Sequence, residues 1–170
     1  EIRSIITKGD EILDRPLVEV GGKGLFVKEL ERALLSGEAD AAVHSMKDME
    51  VHFAQNTEIG AVLEREDRRD ALVGPYRNLD DLPKGARIGT ASVRRAAILL
   101  NHRPDLEIHL IRGNLNRRLS LLANGDFDSI ILAVAGIKRL GVEIEYTPID
   151  TEVMPSAAAQ GALAVQIVAS

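Results

Sequence analysis

ARIGTASVRRAAILLNHRPDLEIHLIRG, the stretch from Ala86 to Gly113, decides the fold. ARIGTAS reads as a strand that closes in a short Gly-Thr-Ala-Ser turn. VRRAAILLNHR follows with apolar residues at 93, 96, 97 and 100, the spacing of a helical stripe. Past the turn signal RPDL, LEIHLIRG returns to an extended pattern. Strand, helix and strand in succession make a β-α-β series, and such series build largely parallel sheets in α/β proteins.

The alternation continues on both sides. LNRRLSLLANGD is expected to be a helix, with apolar residues at 115, 119 and 122, and DSIILAVAG is a continuous apolar run of the kind buried on both faces of a sheet. Upstream, EIRSIIT reads as a strand and LFVKELERALLSGE as a helix with a stripe at 26, 27, 30, 33 and 34, stopped by Gly37. DAAVHS, TEIGAVLER and DALVG read as strands. The charged stretch Glu64–Asp70 is the expected domain change, and the small-residue tail from Thr151 ends in a strand-like run consistent with a return crossing. One domain is therefore expected over 1–63 with 157–170, and the other over 64–156.

Composition bounds the chemistry. The 170 residues are 45% hydrophobic but only 3% aromatic, so the core must be aliphatic. No run reaches the ~18 uncharged apolar residues of a membrane span. With no cysteine, neither a disulfide nor a thiolate metal site can form, and the four scattered histidines lack a zinc-ligand spacing. The chain begins at Glu1 inside a strand-like segment, so truncation at that end is expected. A net charge of -5 argues against general nucleic-acid binding. From Arg87 to Arg118, however, seven arginines face only Asp105 and Glu107, which suggests a local anion site.

Two stretches carry that suggestion. GTASVRR puts Arg94 and Arg95 in the first turn of a helix, and IRGNLNRR puts Arg112 at a strand end with Arg117 and Arg118 in the next first turn. Cations there oppose the helix dipole by a few tenths to about 1 kcal/mol each. An anion held by the guanidinium forks would reverse that sign, and the doubled pattern favours such a site. The alternative is that the arginines pair with acids such as Glu64 or Asp70. A third stretch, AVHSMKD, ends a strand in His44, Ser45, Lys47 and Asp48 where a plain turn is the commoner reading; Asp48 is the candidate acid. GGKGLF lacks the phosphate-loop spacing and reads as a loop with a reaching Lys23.

Together with EREDRRDALV, RPDLEIHLIRGN, ILAVAGIKRLG and AAAQGALAVQ, these motifs resemble the hydroxymethylbilane synthase (porphobilinogen deaminase) family over nearly the whole chain. The resemblance implies two periplasmic-binding-protein-like (type II) domains with mixed, mainly parallel sheets around a cleft, and a third α+β domain absent from these residues. It implies a cytoplasmic, monomeric transferase of tetrapyrrole biosynthesis, acting on porphobilinogen and using neither nucleic acid nor membrane. Four porphobilinogen units are joined head to tail on a dipyrromethane cofactor, with loss of ammonia at each addition, and hydrolysis frees the product. Asp48 matches the catalytic carboxylate. Arg94, Arg95, Arg112 and Arg118 match cofactor and substrate arginines, with Lys47, Thr90, Ser92 and the Gly113 backbone on the cofactor side. Arg139, Phe26, Ser45 and Lys23 match substrate contacts, and Gln160 an interdomain hinge.

Three departures accompany the resemblance. The family's first strand and loop, and its last domain with the cysteine that carries the cofactor, have no counterpart here, so the chain is expected to be an inactive fragment. Glu50 stands where proline is usual, and Glu19 where some members have lysine. The competing reading is a two-lobed solute-binding or ligand-sensing domain, which would need the arginines and have no use for Asp48.

Overall fold

The computed structural model describes residues 1–12 and 24–169. In chain order the elements are α1 (Lys8–Glu11), α2 (Lys28–Leu35), β1 (Ala42–Ser45), a 3-10 turn (Met46–Asp48), β2 (Thr57–Val62), β3 (Asp70–Val73), β4 (Arg87–Gly89), α3 (Val93–His102), β5 (Glu107–His109), α4 (Leu115–Ala123), β6 (Ser129–Ala133), α5 (Val134–Leu140), β7 (Tyr146–Pro148) and β8 (Leu163–Val168). They form two compact units, residues 1–66 with 162–170 and residues 67–161. The expected cuts fall a few residues away. Residues 157–161 stay with the second unit because Gln160 Nε2 donates to the Arg68 carbonyl at 2.8 Å and to Asp70 Oδ1 at 2.9 Å. Among the described residues no helix is long and apolar enough to cross a membrane.

In the first unit β8 lies between β1 and β2 and is antiparallel to both. Helix α2 presents Val27, Ala33 and Leu34 to this core, as its stripe requires, and Gly37 ends it at a positive φ of 71°. A polar clamp ties the layers together. Gln166, fully buried on β8, donates to Glu31 Oε1 of α2 at 3.0 Å and to Thr57 Oγ1 of β2 at 2.8 Å.

EIRSIIT is not a strand. Ile2 and Ile6 are 97% and 74% exposed, so among the described residues the alternating face packs on no layer. The segment is instead fastened at its end. Asp10 Oδ2 accepts the Thr7 N–H at 3.0 Å and the Thr7 hydroxyl at 2.7 Å, a cap that starts α1.

The second unit is a five-stranded sheet in the order β5-β4-β6-β3-β7. Alternate residues fill opposite faces. Leu72 of β3 and Ile131 of β6 pack with Ile88, Leu99 and Met154, while Ala71, Val73, Ile130 and Leu132 pack with Ile111 and Ile137. DSIILAVAG thus divides: its first half is the doubly buried β6, and its second half turns directly into α5.

The sheets are mixed, but not mainly parallel among the described residues. Only β4–β5 and β4–β6 are parallel; β3 runs antiparallel to β6 and β7, and β8 to β1 and β2. The strands responsible, β3 and β8, are the first strands after the chain passes from one unit to the other. Each enters its new sheet against the direction of its neighbours.

Helix α3 is rotated from its expected face. Val93 is 69% exposed, whereas Leu99 is 0% and Arg95 6% exposed. An arginine on the buried face hides the true stripe from a hydrophobicity reading.

Candidate functional site

In the first unit β1 delivers Val43, His44 and Ser45, and the chain then tightens into the 3-10 turn that ends at Asp48. The turn stays tied to β8 because the Met46 N–H donates to the Ala162 carbonyl at 3.0 Å. Asp48 is exposed at the edge of a recess of about 240 Å³. Ile5, Phe26, Leu30 and Val43 give the recess apolar walls, and Thr7, Asp10, His44 and Ser45 line it with polar groups. Phe26 lies against the backbone of Gly9, where any side chain would collide with the ring. The Gly9 N–H also donates to the Leu25 carbonyl at 2.7 Å, which holds the two segments together.

His44 is 7% exposed and its Nε2 has no hydrogen-bond partner. Burial pushes its pKa below 6.5, against the opposing pull of Gln166 and Glu31. The unfolded chain takes up this proton near 6.5 while the folded one resists it, so stability falls as pH drops from about 6.5 toward the folded value. Thermal midpoints at pH 7.5 and 5.5 should therefore differ more for the native chain than for His44→Asn. An equal acid response in both would contradict this account.

In the second unit the arginine-rich segment is largely engaged inside the protein. Arg95 Nε and Nη2 donate to Asp70 Oδ1 at 3.1 and 2.6 Å, and its Nη1 to the Ile131 carbonyl at 3.0 Å. Arg94 Nη2 donates to Asp70 Oδ2 at 2.6 Å and its Nη1 to the Pro155 carbonyl at 2.6 Å. Burial by itself would raise the Asp70 pKa; Arg95, Arg94 and Gln160 outweigh it and hold the carboxyl below its ordinary value. Asp70 thus engages both Arg94 and Arg95, and a carboxylate buried on β3 requires that charge. Arg87 pairs with Asp128, and Arg103 with Asp105. Four of the seven arginines, Arg87, Arg94, Arg95 and Arg103, are thus paired with acids of the second unit.

Arg112, half-buried at the end of the β5 segment, is the strongest candidate for an external anion, since burial lowers its pKa and an anion would offset that loss of hydration. Arg118 Nε donates to the Gly113 carbonyl at 2.9 Å, which orients it beside Arg112. Gly113 takes a φ of 101°, and a side chain there would collide with Arg117. This donor set fits a dipyrromethane bearing carboxylates. At the neighbouring turn the Ser92 N–H donates to the buried Thr90 hydroxyl at 3.1 Å, and Ser92 Oγ caps α3 by accepting the Arg95 N–H at 3.4 Å.

The remaining expected residues scatter. Lys47 is half-buried in the turn beside Asp48. Arg139, in the last turn of α5, donates to the Gly161 carbonyl at 2.6 Å. Lys23 and Glu19 lie outside the described residues, and Glu50 follows the turn with its Oε1 buried and unbonded. Asp10 and Thr7 were missed by the sequence reading, although Thr-Lys-Gly-Asp has the spacing of a capping box.

A family model described as porphobilinogen deaminase, dipyromethane cofactor binding domain, matches residues 1–170. A porphobilinogen deaminase of Burkholderia orbicola (strain MC0-3) is 52% identical over 171 residues, covering 99% of this chain and 51% of that protein. The chain thus spans about half the length of this curated relative. Among solved structures, prephenate dehydratase of Arthrobacter aurescens in complex with L-Phe has a TM-score of 0.53 at 15% identity, covering 85% of this chain and 50% of the other. A Bacillus subtilis lipoprotein described as methionine-binding has a TM-score of 0.50 at 18% identity, covering 83% and 68%. These two likenesses show the fold alone: α/β with mixed sheets, of the periplasmic-binding-protein type II kind. Matched from end to end by the family model and by half of a curated relative, this chain belongs to the porphobilinogen deaminase family.

Proposed function

We propose that this chain supplies the catalytic carboxylate and the carboxylate-binding arginines of a hydroxymethylbilane synthase. The observation that carries the reading is Asp48, held by a tied 3-10 turn at the edge of a recess with apolar walls. Porphobilinogen loses its amine when the C–N bond breaks and its electron pair departs with nitrogen as ammonia. The methylene carbon left behind shares a positive charge with the pyrrole ring. Asp48 accepts a hydrogen bond from the pyrrole N–H and offsets that charge, the kind of fixed electrostatic help that gains strength where water is excluded. The free ring carbon at the end of the growing chain then attacks that methylene carbon and loses its proton, and water ends the series by hydrolysis.

Arg112 and Arg118 hold acetate and propionate groups, while Arg94 and Arg95 contribute guanidinium groups already oriented by Asp70. When bound, the dipyrromethane supplies the primer on which the chain is extended; its attachment cysteine is not among these residues. Lys47, Thr90, Ser92 and Gly113 belong to the same cofactor side in this reading, Phe26, Ser45, Lys23 and Arg139 to the substrate, and Gln160 to the hinge. The reading also carries a cytoplasmic monomer whose partner is a small molecule.

The test restores the remaining length of the relatives, supplies porphobilinogen and measures uroporphyrin after oxidation. Formation of product supports the synthase; a restored protein that carries its primer and makes none overturns it. In that protein Arg112→Ala should weaken binding of pyrrole carboxylates about tenfold to a hundredfold, as expected for one charged hydrogen-bonding group. The loss should shrink as salt screens the interaction. Unchanged affinity would remove Arg112 from the site.

A further inference from the structure

The segment that carries Asp48 is fastened at both ends. At its entry the Met46 N–H donates to the Ala162 carbonyl at 3.0 Å, just before β8. At its exit Ala54 donates its N–H to Glu31 Oε1 at 2.9 Å, and its carbonyl accepts the Thr57 N–H at 3.0 Å and the Thr57 hydroxyl at 2.8 Å. Gln166 Nε2 donates to the same Glu31 oxygen and to Thr57 Oγ1, which closes the contacts into a ring. Glu31 is the one charged member of that ring. Residues 49–53 form neither helix nor strand and Val51 is 88% exposed, so packing alone restrains the stretch after Asp48 weakly. A carboxylate in the first turn of α2 already suits the helix dipole. That use needs no contact 23 positions away, whereas the bond to Ala54 ties the helix to the chain that follows Asp48.

We propose that Glu31 is a positioning residue for the turn that carries Asp48, acting through Ala54 and not through the ligand. Its kinetic consequence rests on the synthase reading; the anchoring of the turn does not. A catalytic group displaced by about 1 Å can lose on the order of a hundredfold in rate. Positive charge develops at the pyrrole only as the amine leaves, so a misplaced Asp48 lowers kcat. KM, which depends on the arginines, changes little.

In the protein restored to the length of its relatives, Glu31→Ala should speed amide hydrogen exchange over residues 46–54 about tenfold to a hundredfold, as expected for one lost hydrogen bond to a charged group. Exchange in β6 of the second unit should stay native. Gln166 keeps Thr57 as an acceptor in this variant, so the fold should hold. The kcat should fall by a similar factor, with KM within about twofold of native. Glu31→Gln should recover most of both losses, because both donors fall on Oε1 and an amide oxygen accepts two hydrogen bonds. Added to Asp48→Asn, Glu31→Ala should lower kcat by less than about twofold, since the charge it positions is gone; a merely structural role would repeat the full loss. Native exchange over residues 46–54 in Glu31→Ala overturns the proposal, whether or not the protein makes product. An equal loss of kcat in both backgrounds, or faster exchange with unchanged kcat, overturns it too. Faster exchange in a protein that carries its primer and makes no product keeps Glu31 as the anchor of the turn and overturns only the synthase.

Discussion

Asp70→Ala should cost the second unit about 3–5 kcal/mol, the range for removing one partner of a buried ion pair. Asp70 is fully buried and receives Arg95, Arg94 and Gln160 at 2.6 to 3.1 Å. Its loss leaves the Arg95 guanidinium, 6% exposed, without a counter-charge. Since a whole domain is stable by only about 5–15 kcal/mol, the effect should be plain in urea melts. Arg95→Ala should cost more than Arg94→Ala, whose side chain is 27% exposed. The pH dependence has a definite sign. Asp70 has a lowered folded pKa, so its stabilisation is complete above the unfolded value of 3.8 and disappears as pH falls through the lower folded value. Asp70→Asn should lack that acid-sensitive component. A melt unchanged by Asp70→Ala would show that the four-residue network contributes nothing net.

Asp48→Asn should lower turnover by about a hundredfold to ten-thousandfold, the range for a positioned catalytic acid or base. The substitution keeps shape and removes charge at an exposed position, so the melt should change little. Affinity for a pyrrole carboxylate should stay near the native value, because that contact belongs to the arginines. A solute-binding protein on the same fold would show the same affinity and have no turnover to lose. Full activity in Asp48→Asn would remove Asp48 from the chemistry and direct attention to the other carboxylate of the recess, Asp10.

Local patterns were legible where one residue type answers to one environment. The α2 stripe, the Gly37 stop and the doubly buried β6 follow from spacing and composition. Resemblance carried the family, and with it the interest in Asp48. The failures share a cause, which is that a partner distant in sequence decided the outcome. EIRSIIT has a strand's alternation but, among the described residues, no layer to pack on. The face of α3 was misread because Arg95 is buried against Asp70, 25 positions away. Arg94 and Arg95 carry the same signal for an internal acid as for a ligand, and only the fold reveals Asp70 as a partner of both.

By itself the sequence determined the α/β class, the aliphatic core, and a domain change within the charged stretch Glu64–Asp70, where the chain passes between the two units. Tertiary structure decided the antiparallel entry of β3 and β8, the ion pairs of Arg87, Arg94, Arg95 and Arg103, and the meeting of Asp10 with Asp48 around one recess. The physical reason is range. Periodicity and turn chemistry act within a few residues, whereas strand direction and ion pairing depend on which distant groups the folded chain brings within about 3 Å of each other.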